Sequence, residues 1–209
     1  DGRVLGAGSI PTRTRFGLTL HLFQPDGELV RSFGDHGGPV ERESHLRRNL
    51  ALSADGSVWS ARRFQYLIEK WDVDGGLLSE LRRETDWFPA HSKNSRGGPN
   101  QPPWPKIRAV LEDPAGLLWV AAWVPSDSWR EAWEGVEIVD GHVTSGSPTL
   151  NQSYSSLIEI INPRTGELVH SQSWEGLVVE FGPDGTLITT HQDSSGVIFV
   201  DLWKAELKI

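Results

Sequence analysis

From Leu50 to Leu207 short apolar runs alternate with tight polar turns, and the phase of that alternation repeats. Leu50–Trp59 (LALSADGSVW), Val110–Trp119 (VLEDPAGLLW) and Val179–Ile188 (VEFGPDGTLI) align on Gly56, Gly116 and Gly185. In each, Asp or Pro precedes a glycine placed where the chain needs a positive φ. A large core-forming residue follows three positions later: Trp59, Trp119 and Ile188. A second hairpin also recurs. Leu20–Leu22 leads into Pro25-Asp26-Gly27, Ile68–Trp71 into Asp72–Leu77 around Gly75, and Ile158–Ile161 into Asn162–Leu168 around Gly166. Apolar residues at two-residue spacing around such turns predict half-buried antiparallel strands.

The spacing joins the hairpins into units. Gly56 and Gly75 lie 19 positions apart, and the same interval from Gly185 reaches Lys204, at the end of the apolar run Val197–Trp203. Four strands in roughly 40 to 45 residues is the period of a propeller blade. One blade cannot bury both faces, so neighbours must stack around an axis. The expectation is an all-β chain of four-stranded antiparallel blades, about four of them, forming a single partial β-propeller domain over residues 1–209. A sandwich of unrelated hairpins is the alternative, and it leaves the common phase of Trp and Leu against Gly as coincidence. Asp1–Leu5 reads as the turn and second strand of a blade, and the chain contains no Met. A processed or partly represented chain, belonging to a larger ring, is therefore expected.

The turns Pro25-Asp26-Gly27-Glu28-Leu29 (P-D-G-x-L) and Asp113–Val120 (D-x-x-G-x-x-W-V) resemble those of the six-bladed β-propeller group that includes NHL-repeat and TolB-like proteins. The resemblance spans most of the chain outside two insertions and rests on structural motifs. It implies a six-bladed fold. The group contains secreted binding proteins, scaffolds, and some lactonases and lyases, so it does not select an activity. It also implies an extracytoplasmic setting, periplasmic or secreted.

Composition narrows the classes. A net charge of −8 argues against a broad electrostatic footprint for nucleic acid. The pairs Arg47-Arg48, Arg62-Arg63 and Arg82-Arg83 are read as solvated strand edges, because neighbours on a strand face opposite ways; a shared basic patch is the alternative. No apolar run approaches the roughly 18 residues of a membrane span. The chain has no cysteine, which removes disulfides, thiolate nucleophiles and cysteine metal sites.

The pattern breaks at residues 84–106 and 125–155, and loops on a rigid scaffold commonly carry function. The first break, rich in proline and carrying Gly97-Gly98, excludes helix and central strand. Its Trp87, Phe88, His91 and Trp104 either cap the propeller or contact a partner. In the second, Ser128-Trp129-Arg130-Glu131 has the form of a capping box opening a short helix through Trp133. Trp129 and Trp133 would then share one face, packed on their own blade or held against another protein. Val136–Val143 reads as a hairpin around Asp140-Gly141, and residues 148–156 as irregular.

Chemistry is less well marked. The seven histidines lack the spacings that pre-assemble a metal site. Glu112, Asp113, Glu180, His191 and Asp193 are the candidates to approach the axis, although Asp113 reads first as setting its turn and Glu180 as sitting on a solvent-facing edge. There is no Gly-x-Ser-x-Gly elbow. No cofactor, catalytic residue or metal ligand is assigned. The sequence therefore points first to a non-enzymatic interaction or scaffold subunit that docks on protein partners through Trp87, Phe88, His91, Trp104, Trp129 and Trp133. A hydrolase or lyase with an axial metal, and a binder of sugars or other small ligands, remain the alternatives.

Overall fold

A computed structural model describes residues 2–8, 17–36, 47–89, 97–139, 142–146, 148–174, 176–193 and 195–205, with backbone alone at 35, 36 and 142. The first sheet runs β1 (Val4–Ala7), β2 (Leu18–Phe23), β3 (Leu29–His36), and the second β4 (Arg48–Leu52), β5 (Val58–Arg62), β6 (Leu67–Trp71), β7 (Leu77–Arg82). The third opens with β8 (Lys106–Glu112) and β9 (Leu118–Pro125). After a separate hairpin, β10 (Glu137–Val139) and β11 (His142–Ser145), and a one-turn helix α1 (Leu150–Ser153), it continues with β12 (Tyr154–Ile161) and β13 (Leu168–Trp174). The fourth is β14 (Leu177–Phe181), β15 (Thr186–Gln192), β16 (Ile198–Lys204). The architecture is all-β and propeller-like, with every named pairing antiparallel and each sheet a meander. Among the described residues no helix is long and apolar enough to cross a membrane.

The half-buried alternation expected from sequence gives way, in the second sheet, to whole strands that are either buried or exposed. Within the second sheet β5 and β6 are buried, while β7 shows solvent nearly its whole length. Between sheets the core is divided into separate seams. Leu20, Leu22 and Phe33 of the first sheet meet Trp71, Leu50 and Val73 of the second. Trp59, Ile68 and Leu81 of the second meet Ile107, Val110 and Val120 of the third. Ala109, Ala121 and Ile158 of the third meet Val178, Phe181 and Leu187 of the fourth. Each sheet thus buries its faces only against its neighbours, as blades must.

The aligned turn glycines all adopt positive φ, +83° at Gly56, +78° at Gly116 and +80° at Gly185. Gly75 has a second reason to be glycine. Its φ is +88°, and a Cβ there would lie 2.9 Å from that of Phe33, so this turn presses directly on the first sheet.

Two expectations are corrected. The Ser128–Glu131 capping box does not form: a 3-10 turn covers Glu131–Trp133, with Arg130 at its N-cap and no side-chain cap. The Glu131 amide that such a cap would serve is taken instead by the Ser128 carbonyl, at 2.9 Å. Residues 148–156 are also more regular than expected. They include α1 and the start of β12, where Tyr154 pairs with Pro125 and Ser126 N donates to Ser153 O at 3.1 Å. The β10–β11 hairpin matches the reading of 136–143, although Asp140 and Gly141 themselves lie outside the described residues.

The turn aspartates give stability a pH dependence. Asp55 accepts bonds from the Ser57 hydroxyl and amide and from Lys70, which hold its carboxyl well below the ordinary 3.8. Asp184 and Asp193 are lowered in the same way, chiefly by the hydroxyls of Thr186 and Ser195. A carboxyl depressed on folding adds stability that is complete above its unfolded value near 3.8 and is lost as pH falls toward the folded one. The urea midpoint should therefore decline below about pH 4. Asp55→Asn should flatten that decline, and an unchanged acid limb would remove Asp55 from the account.

Candidate functional site

The 84–106 insertion turns its aromatic rings inward. Phe88 N donates to Thr85 O and to Thr85 Oγ1, both at 3.2 Å, and this tight turn drops the Phe88 ring into the seam between second and third sheets. Phe88 is 3% exposed. It meets Tyr66 and Trp87 edge-on at 5.6 and 5.5 Å, and Tyr66 meets Trp87 at 5.8 Å. Trp87 and Trp104 are half-buried, and His91 lies outside the described residues. In the 125–155 insertion Trp129 is buried beneath the Arg130 guanidinium, 4.4 Å above its ring, while Trp133 is half-buried. The structure therefore brings Trp87 and Phe88 together. Neither Trp129 nor Trp133 makes ring contact with them among the described residues.

A feature that the sequence reading passed over lies on β16. Ile198, Phe199, Val200, Leu202 and Trp203 are 43–69% exposed, on both faces of a strand that pairs only with β15 among the described residues. The signal was present as an apolar run without polar alternation, the pattern of a strand meant to be covered on both sides. Beside it, an open cleft of about 710 Å³ separates the third and fourth sheets, lined by Trp174, Trp203, His191, Asp201, Gln172 and Asn151 among others. Trp174 and Trp203 meet edge-on at 5.8 Å, and the Trp203 Nε1 donates to Thr189 Oγ1 at 3.0 Å. His191 Nδ1 lies 2.8 Å from Asp201 Oδ2, and its ring stacks on Phe199 at 5.0 Å.

The expected axial acids are engaged in other work. Glu112 accepts from the Ser53 hydroxyl and from Trp59 Nε1 at 2.5 Å, with Lys70 Nζ at 3.5 Å. Asp113 closes its turn by accepting from Ala115 N, Leu117 N and Trp119 Nε1, each at 2.9 Å. Glu180 shares a cleft with them, its carboxyl pushed up by burial. His191 and Asp193 do not line that cleft. No group of three or more His, Asp or Glu able to hold a metal occurs among the described residues.

The arginine pairs are not simply solvated. The Arg48 side chain is fully buried and binds Glu69, which Arg62 also approaches at 3.5 Å. Arg83 reaches Glu159 at 3.3 Å, and Glu159 also accepts from the Tyr66 hydroxyl at 2.5 Å. Burial, then the adjacent Glu159, pushes the Tyr66 phenol well up. One member of each pair thus turns inward to neutralise a buried glutamate, which strand parity alone could not reveal.

No family model matches the chain, and no curated protein does. Among solved structures it is similar to a protein of unknown function from Bacteroides caccae, at 14% identity over 95% of this chain and 72% of that one, with a TM-score of 0.38. It is also similar to virginiamycin B lyase from Staphylococcus aureus, at 12% identity over 95% and 74%, TM-score 0.37. A streptogramin B lyase gives 13% identity over 97% and 74%, TM-score 0.39.

Proposed function

We propose that this chain is a non-enzymatic, extracytoplasmic β-propeller module that docks on another protein as a subunit of a larger assembly. In this reading residues 1–209 form one unit, with the insertions at 84–106 and 125–155, in a ring of the six-bladed NHL-repeat and TolB-like type. One observation carries the reading. β16 presents five large apolar side chains and an edge of backbone donors and acceptors, and exposed apolar patches rimmed by polar residues mark association surfaces. The occupant that fits is a β-strand added to the β16 edge, since main-chain bonds and alternate side chains are then satisfied together. The solvent-facing parts of Trp87, Trp104 and Trp133 supply further aromatic contact.

The native mass of the protein in a gentle extract tests this, with co-migrating chains identified by mass spectrometry. The double variant Val200→Glu/Leu202→Glu should leave thermal unfolding nearly unchanged, because both positions are more than 60% exposed, and should release the chain from its complex. A wild-type chain that migrates alone would overturn the reading. The cleft between Trp174 and Trp203 would then become the first place to look for a small ligand such as a sugar.

A further inference from the structure

The start of β4, the end of β5 and the start of β8 are joined through the backbone. Arg63 N donates to Arg47 O, and Ile107 N to Arg63 O, each at 2.9 Å. That junction gathers Arg47, Arg63, Lys106 and Arg108 in a protein of net charge −8. Arg108 arrives by a β-bulge. Ile107 pairs with Ala122 and Ala109 with Ala121, so Arg108 is the extra residue, and a bulge re-aims the side chain it carries. Its guanidinium lies 4.4 Å over the Trp123 ring. Lys106 is buried, its ammonium 4.0 Å over Tyr154 and 5.0 Å over Trp123.

Two further facts concern what these cations face. The Nε atoms of Arg63 and Arg108 are buried without an acceptor, as are those of Arg48, Arg62 and Arg83, but Arg63 and Arg108 differ from those three in forming no salt bridge among the described residues. Arg63 is pulled down to about 10, by burial first and then by repulsion from Arg108 and Arg47. Arg108 is also lowered by burial, with Glu180 acting against that. Half-buried guanidinium groups that repel one another and keep unused N–H donors are unfavourable when empty and favourable around an anion. Each offers a planar fork of donors matched to two oxygens of one carboxylate or phosphate.

We propose that Arg63 and Arg108, backed by Lys106, form a binding site for a small molecule bearing a carboxylate or phosphate group. The bulge sets the Arg108 fork, which stacks on Trp123, while Lys106 lies over Trp123 and Tyr154 and the Arg63 guanidinium over Phe64 at 5.6 Å; half-burial against rings strengthens each cation's hold on an oxyanion. Exposed Arg47 adds attraction at the rim. The site lies on the junction of the second and third sheets, away from β16, so it stands or falls separately from the docking surface.

Titration calorimetry and thermal unfolding of the full chain with phosphate, with citrate and with chloride at matched ionic strength test the site. The wild type should bind one phosphate or one citrate per chain and unfold at higher temperature with it than in chloride. Whichever binds more tightly identifies the group recognised. Arg63→Gln or Arg108→Gln should weaken that binding about tenfold or more, the loss of one charge-assisted fork. In chloride, Arg108→Gln should unfold close to wild type, since the repulsion relieved offsets the loss of the Trp123 stacking and of the Glu180 attraction. Arg63→Lys, which keeps charge and loses the fork, should fall in between. Three results would each overturn the proposal: no binding by wild type, an equal response of wild type and variants to all salts, or wild-type affinity in Arg63→Lys.

Discussion

Replacing Glu69 by alanine is expected to lower the unfolding free energy by about 3–5 kcal/mol, read from urea unfolding at neutral pH. Glu69 is 5% exposed at its side chain and faces Arg48, whose side chain is fully buried, with Arg62 3.5 Å away. Ser60 adds a hydroxyl to Arg48 at 3.3 Å, which cannot replace a charge. Taking away the carboxylate strips the buried Arg48 guanidinium of its Glu69 charge partner, and the desolvation that Glu69 had offset is the expensive part. The net worth of the assembled group is much smaller. Removing both partners, as in Arg48→Met/Glu69→Leu, should therefore recover most of the loss, and Glu69→Gln, which keeps an acceptor, should be intermediate. A loss under about 1 kcal/mol in Glu69→Ala would mean that Arg48 swings to water, and the buried pair would then not constrain the second sheet.

Phe88→Ala is the second large effect, expected to cost about 3–5 kcal/mol of stability. The ring is 3% exposed and sits in the same seam as Trp59, Ile68 and Ile107, edge-on to Tyr66 and Trp87. Deleting it removes buried area and leaves a cavity under a turn held by Thr85. Phe88→Leu should cost clearly less, because it keeps most of the volume. The pair of variants also separates two meanings of the insertion. If Phe88→Ala unfolds early yet retains the native assembly at low temperature, Phe88 anchors the loop and the docking contact lies elsewhere. An unchanged midpoint would show that the 84–106 insertion detaches without cost to the sheets.

The fold was legible because its signals are local. The glycines at 56, 75, 116, 166 and 185 all take positive φ, and the strands on either side fall where the period-two alternation places them. The insertions were visible as breaks in that rhythm, but their interiors were not. The Ser128–Glu131 motif satisfies a helix-start pattern, yet the chain is already committed to tight turns, so no cap is needed. Inter-sheet chemistry was harder still. Nothing in the neighbourhood of Arg48, Arg83 or Glu159 in sequence announces that they meet partners 21, 76 or 93 positions away. The bulge at Arg108 and the two-sided exposure of β16 are likewise products of register and of neighbouring sheets.

Each sheet is assembled from strands that follow one another in the chain, interrupted only between β9 and β12, and each seam joins a sheet to its immediate neighbour. Such a protein behaves as a linear array whose cooperativity is passed from unit to unit. The second and third sheets, gripped on both sides, form its slow-opening centre. The β1–β3 and β14–β16 sheets, each packed against one neighbour among the described residues, open more readily. A partner that settles on β16 would therefore clamp one of the two looser units of the array, and docking would raise resistance to proteolysis beyond the contact as well as at it.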